Sequence, residues 1–331
     1  MIHSGETSAI SSSPRSRLIF IDNWRSALII LVILHHLAVV YGAGAPFYYV
    51  EPPVNDLPAF LLLLVFILIN QSWFMGAFFL LSGYFTPGSF DRKGQGAFLK
   101  DRLLRLGVPL VIFFFVLNPL AMIGVYQMPA SLTGITTPLT WAKYPKMVGM
   151  GPMWFAAMLL AFDFGYAIWH AAKKNWKPKF KINSQTPRLF AIVVFVLALA
   201  LLSYLVRIIL PLGKLVAGFP TLGYLPQYLS FFILGIIASR NNWLQTISSK
   251  AGRVGFITAV IATVILLPIA LTGLEPGLTT AANNIVGDGH WQSAVYTLWD
   301  STVSVGLCLG VIVLFRRFLN RPGRLGSYMA A

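Results

Sequence analysis

Apolar residues dominate this chain in eight long runs, separated by short stretches that hold nearly all the charge, proline and asparagine. Each run is long enough to cross a hydrocarbon layer about 30 Å thick as a helix. The pattern places the runs near residues 26–42, 59–85, 105–126, 151–171, 189–210, 222–239, 254–272 and 293–318. The connectors are marked by Glu51-Pro52-Pro53, Pro87-Gly88, Lys173-Lys174-Asn175, Asn241-Asn242 and Gly287-Asp288-Gly289. This predicts an all-α, polytopic transmembrane helical bundle. The polar, Ser-rich residues 1–17 read as a disordered cytoplasmic tail, and residues 18–331 as one membrane-embedded domain.

Composition agrees: 57% of the 331 residues are hydrophobic and 11% are charged, against about 25% charged in a typical soluble domain. The single Cys308 excludes an internal disulfide framework, and no metal cluster is expected. The net charge of +15 raises the question of nucleic acid, and the placement of the charges answers it. With the N-terminus in the cytoplasm, 21 Lys and Arg residues fall on inside segments. Four, Lys143, Lys146, Arg207 and Lys214, fall outside. Such a split is the positive-inside rule at work, and basic loops face anionic lipid. The expected partner of the charge is the bilayer, and no nucleic acid is expected.

Ionisable residues within the runs carry the chemistry, because a charge in hydrocarbon is costly and marks function by default. Arg25 and His36 are eleven residues apart in the first run. On a helix they return to within about 20° of one direction and lie about 16 Å apart along the axis. A cation at the membrane edge with an imidazole deeper in reads as a site that holds an anion and moves a proton. Asp22 is placed to pair with Arg25 one turn away. His35 points about 100° from His36 and has a supporting or packing role. Arg102 and Arg105 are three apart, so both guanidinium groups can face one phosphate or carboxylate. In Phe78-Phe79-Leu80-Leu81-Ser82-Gly83-Tyr84, Gly83 reads as a packing residue, and Ser82 and Tyr84 as hydrogen-bonding partners for a ligand. Trp154 opens the fourth run as an interface anchor or a stacking surface. Asp163 and Asp300 lie inside the fourth and eighth runs, placed to orient His36 or pair with Arg207.

Together these residues resemble the acyltransferase family 3 membrane proteins. The resemblance rests on Arg25…His36, on Arg102-x-x-Arg105, on the Phe78–Tyr84 segment and on Trp154-Phe155, in that order. It implies an O-acyltransferase of the bacterial inner membrane. The donor is cytoplasmic acyl-CoA, which is a substrate and not a bound cofactor, and the acceptor is a hydroxyl of a periplasmic or cell-surface glycan. In this reading His36 and Arg25 are catalytic and Arg102 and Arg105 hold the acyl-CoA. Asp22-Asn23-Trp24-Arg25, Ser82-Gly83-Tyr84 and Trp299-Asp300 are most similar to the glucan-modifying protein C branch, which succinylates periplasmic glucan. The family implies about ten spans against the eight counted, so the domain is expected to lack its last helices. Acetyl and succinyl both fit as the acyl group; a succinyl carboxylate would call for a further cation such as Arg207 or Lys214. The alternative reading is a transporter or flippase for an anionic solute or lipid-linked sugar. A third is a non-catalytic partner subunit.

Overall fold

The computed structural model describes residues 18–41, 48–49, 56–173, 186–220, 222–272 and 284–321. The expected tail 1–17, the Glu51-Pro52-Pro53 connector and the residues after Arg321 lie outside these. Eight helices are long and apolar enough to cross a membrane. They are α1 (Ile19–Val40), α2 (Leu57–Lys93), α3 (Gln95–Gln127), α4 (Trp154–Ala172), α5 (Leu189–Ile209), α6 (Leu225–Asn241), α7 (Ser249–Ala270) and α8 (Trp291–Phe318). No strand occurs among the described residues, so the fold is the all-α bundle that the apolar pattern predicts.

Boundaries differ from the hydropathy reading at three places. Helix α1 starts at Ile19, which puts Asp22 and Arg25 inside its first turns. Helix α2 runs through Pro87-Gly88, which is not a connector, and stops at Gly94 with φ 76°. A proline inside a helix removes one backbone donor and need not end the helix where neighbours pack on both sides. Helix α3 begins ten residues before its apolar run and contains two π turns, Leu103–Gly107 and Phe113–Leu117.

Side-chain contacts fix how the helices run. Asn23 Nδ2 donates to Leu319 O at 2.7 Å, joining the start of α1 to the end of α8. Arg240 pairs with Asp91 across the ends of α6 and α2. Arg316 Nη1 donates to Leu244 O at 3.2 Å in the α6–α7 connection. The helix ends that carry Arg25, Arg92, Arg102, Arg240 and Arg316 therefore share one end of the bundle, called here the basic end. Arg207, Lys143 and Lys214 lie toward the other. Large apolar residues such as Leu62, Leu104, Val111, Leu201 and Val264 face outward, as helices bathed in lipid require.

Small residues set the closest crossings, as they do where packing rather than hydrophobic burial drives membrane-helix association. A Cβ at Gly83 would run into Phe232 O, and one at Gly235 would run into Leu80 O, so α2 and α6 cross backbone to backbone. Gly255 and Gly306 do the same for α7 against α8, and Gly252 and Gly310 make room there for the side chains of Val313 and Phe256. Trp24, Phe79, Phe98 and Tyr228 fill the core around them. Gly235→Val should force α2 and α6 apart, costing about 1–3 kcal/mol, and lower the melting temperature of the purified protein by several degrees. Gly124→Ala, with open space around its Cβ, should leave it unchanged or slightly raised.

Candidate functional site

A cavity of about 460 Å³ opens at the basic end between α1, α2 and α3. Helix α1 contributes Arg25, α2 contributes Ser82, Tyr84, Arg92 and Lys93, and α3 contributes Asp101, Arg102 and Arg105. Five of the residues named for the site from sequence, Arg25, Ser82, Tyr84, Arg102 and Arg105, thus surround one space. Five cations share its wall with one carboxylate.

The cations differ in how firmly they are held. Arg102 Nε lies 3.1 Å from Asp163 Oδ2, an ion pair without a well-aligned hydrogen bond. Its guanidinium also sits 5.1 Å from the centre of the Phe98 ring. Asp163 is fully buried in α4, and the hydroxyl of Thr86, also buried, lies 3.0 Å from Asp163 Oδ1 and 2.9 Å from Ser82 O. Its single proton can serve one of these at a time. Asp101 bridges Lys93 at 2.7 Å and Arg105 at 3.0 Å. Arg105, 71% exposed, stands in the first π turn. The π turn is wider than an α turn, so Arg102 and Arg105 are not the simple one-turn pair the spacing predicts, although both line the cavity. Arg25 pairs loosely with Asp22 at 3.9 Å. Arg92 makes no ion pair among the described residues.

His36 is not on the cavity wall. It lies on the same unbroken helix as Arg25, three turns deeper, about 16 Å along the axis. Its Nδ1–H donates to Val32 O at 2.8 Å. A carbonyl only accepts, so in the neutral ring the lone pair is on Nε2, the atom able to take a proton. His35 is buried and stacks on Phe74 with ring centres 5.0 Å apart. Trp154 stacks on Tyr228 at 5.6 Å, away from the cations.

Asp300 and Arg207 form the second buried pair, toward the other end. Arg207 Nη2 donates to Asp300 Oδ2 at 2.8 Å, and Nε donates to Gly223 O at 3.2 Å. The Tyr224 ring centre lies 4.6 Å from the guanidinium carbon. Arg207 is 0% exposed, so it is not the outer-edge residue that a positive-inside count makes of it, and its charge is already matched by Asp300. Neither Asp163 nor Asp300 is hydrogen-bonded to His36 in the contacts observed.

Sequence reasoning overlooked Arg92 and Thr86, and it treated Arg207 mainly as a topology charge. The available signal for Arg207 was its setting, Leu205-Val206-Arg207-Ile208-Ile209, in which a cation has apolar neighbours on both sides. Arg92 lies seven residues beyond Phe85, two turns along the face that closes the cavity. Thr86 carried no signal, since a lone threonine in an apolar helix usually bonds its own backbone.

Apolar helices of spanning length, buried ion pairs and a cation-lined cavity at one end define a multi-pass membrane protein. A family model for an acyltransferase domain matches residues 18–329. The chain belongs to that family, acyltransferase family 3, and is a membrane acyltransferase. It matched no curated protein and no solved structure.

Removing one member of the Arg207–Asp300 pair leaves an uncompensated charge in the bundle, whereas replacing both does not. Arg207→Met should cost about 3–5 kcal/mol and shift most of the protein into aggregate on size-exclusion chromatography. The double variant Arg207→Met/Asp300→Leu should return most of it to the folded peak.

Proposed function

We propose that this protein moves an acetyl or succinyl group from cytoplasmic acyl-CoA to a hydroxyl of an extracytoplasmic glycan, across the bacterial inner membrane. The observation that carries this reading is the cavity at the basic end, where Arg25, Arg102 and Arg105 meet on the same side of the bundle as His36's own helix begins. The positive-inside rule puts that end in the cytoplasm.

Phosphates favour a site of several guanidinium groups, which offer forked donors and fixed charge. Arg102, Arg105 and Arg92 take the donor's phosphates, and Arg25 takes the part of the donor that passes α1. The distance from these cations to His36 calls for a donor with a long arm between its phosphates and its reacting carbon, as acyl-CoA has. His36 Nε2 removes the proton of the acceptor hydroxyl while the oxygen attacks the thioester carbonyl. The carbon–sulfur bond breaks, and the CoA thiolate leaves and takes up the proton from His36. Ester and CoA thiol are the products. Ser82 and Tyr84 supply hydrogen bonds at the cavity wall, Asp163 holds Arg102 in place, and Asp22 does so for Arg25. Trp299-Asp300 and Asp22-Asn23-Trp24-Arg25 favour the branch that succinylates periplasmic glucan.

Inside-out vesicles loaded with glucan and supplied with labelled acetyl-CoA or succinyl-CoA test the reading. Label should appear on lumenal glucan and name the donor. A positioned base contributes about 10²–10⁴-fold, so His36→Ala should lose nearly all turnover while still inserting and binding CoA. Turnover equal to that of the unaltered protein would rule out His36 as the base. Arg105→Gln leaves no buried carboxylate behind. It should weaken donor affinity roughly tenfold, the worth of a hydrogen bond to a charged group, with little effect on folding. Solute uptake without CoA consumption would favour a transporter.

A further inference from the structure

A second cavity, of about 660 Å³, lies on a different flank of the bundle. It is walled by α5, α6 and α8, with Leu80 of α2 behind and the start of α7 at one side. Its size is within the roughly 300–1,000 Å³ of small-molecule sites. Its depth is apolar, with Phe195, Phe231, Leu234, Val305 and Ile312 as walls and the protein's single thiol, Cys308, among them.

The polar groups are gathered at its basic-end mouth. Arg188 caps the start of α5 and is exposed. The Trp243 ring lines the cavity beside it. Ser248 caps the start of α7. Two helix N-termini therefore border the mouth, each carrying partial positive charge, and the Ser248 hydroxyl accepts from Ala251 N–H at 3.1 Å. A cation and the positive ends of two helix dipoles at an open mouth favour an anion. The apolar shaft beneath favours a hydrocarbon chain.

We propose that this cavity binds an anionic phospholipid of the surrounding bilayer. One acyl chain fills the shaft toward Cys308, and the phosphate sits beside Arg188 at the mouth. The mouth lies at the level where the headgroups of the basic-side leaflet stand, and basic pockets between membrane helices on that side recognise anionic headgroups. The site is separate from the cation-lined cavity at Arg102 and does not depend on the acyltransfer reading.

The test uses the full chain in nanodiscs containing phosphatidylglycerol with a diazirine in one acyl chain, or the matching phosphatidylcholine. After photolysis, labelled peptides are mapped by mass spectrometry. Label should concentrate on α5, α6 and α8, including the Cys308 peptide, and phosphatidylglycerol should exceed phosphatidylcholine about fivefold, the worth of one basic residue near an anionic lipid surface. Arg188→Gln should reduce the phosphatidylglycerol yield to that of phosphatidylcholine. Ala191→Trp, at an exposed position on the cavity wall, should cut both. N-ethylmaleimide should alkylate Cys308 more slowly when phosphatidylglycerol is present. Equal labelling by the two lipids, unchanged in both variants, would mean ordinary annular lipid and overturn the proposal. Displacement by long-chain acyl-CoA would assign the shaft to a donor tail, and displacement by glycerol phosphate alone would assign the mouth to a free phosphate. Either result would equally overturn it.

Discussion

A carboxylate without any solvent exposure holds the basic cavity together. Asp163 is buried in α4, a helix that does not itself line that cavity, yet it reaches Arg102 on α3 and faces the Thr86 hydroxyl on α2. A lone carboxylate at that depth would be costly, and Arg102, 19% exposed at the cavity wall, supplies the opposite charge. The carboxylate is tolerable because the guanidinium and the Thr86 hydroxyl face it, so three helices are bound to a common geometry. Arg102 is thereby fixed before any ligand arrives, which is the condition for a preorganised anion site. Arg105, Lys93 and Asp101 form an exposed counterpart at the rim, where such pairs are weak and easily exchanged. The cavity thus has a rigid floor and an adaptable edge.

The other end of the bundle solves the same problem differently. Arg207 and Asp300 neutralise each other with no exposure, and Gly223 O takes a further donor from the guanidinium. The two buried pairs therefore divide the molecule into an end whose cations are partly available and an end whose one buried cation is spent. Backbone-close crossings at Gly83–Gly235 and along α7–α8 hold these ends at fixed separation.

Much of this was legible in the chain. Eight apolar runs gave eight spanning helices, because long hydrocarbon-compatible stretches admit little besides a helix. Arg25, Ser82, Tyr84, Arg102 and Arg105 could be named as site residues, since polar groups beside apolar runs are few and each stands out. Their meeting around one cavity could not be read, because it depends on which helices pack side by side. The same ignorance left Asp163 and Asp300 without assigned partners. Pro87-Gly88 misled for a related reason: local propensity marks a break, and tertiary packing carries α2 through it. The π turns of α3 have no local sequence signature, so the phase between Arg102 and Arg105 was set by the wrong helix period.

The distance between the cation-lined cavity and His36 has an electrical consequence. In the reaction proposed above, a donor that enters at the basic end and an acceptor that meets it deeper in the bundle would send the acyl group through the membrane field. Acetyl carries no charge, and the proton returning on the CoA thiol would balance the acyl cation formally passed outward. Succinyl carries a carboxylate, so each turnover would export one negative charge. An inside-negative potential favours that by about 2.3 kcal/mol per 100 mV. The same architecture would then run as an electroneutral reaction with one donor and as a voltage-driven one with the other.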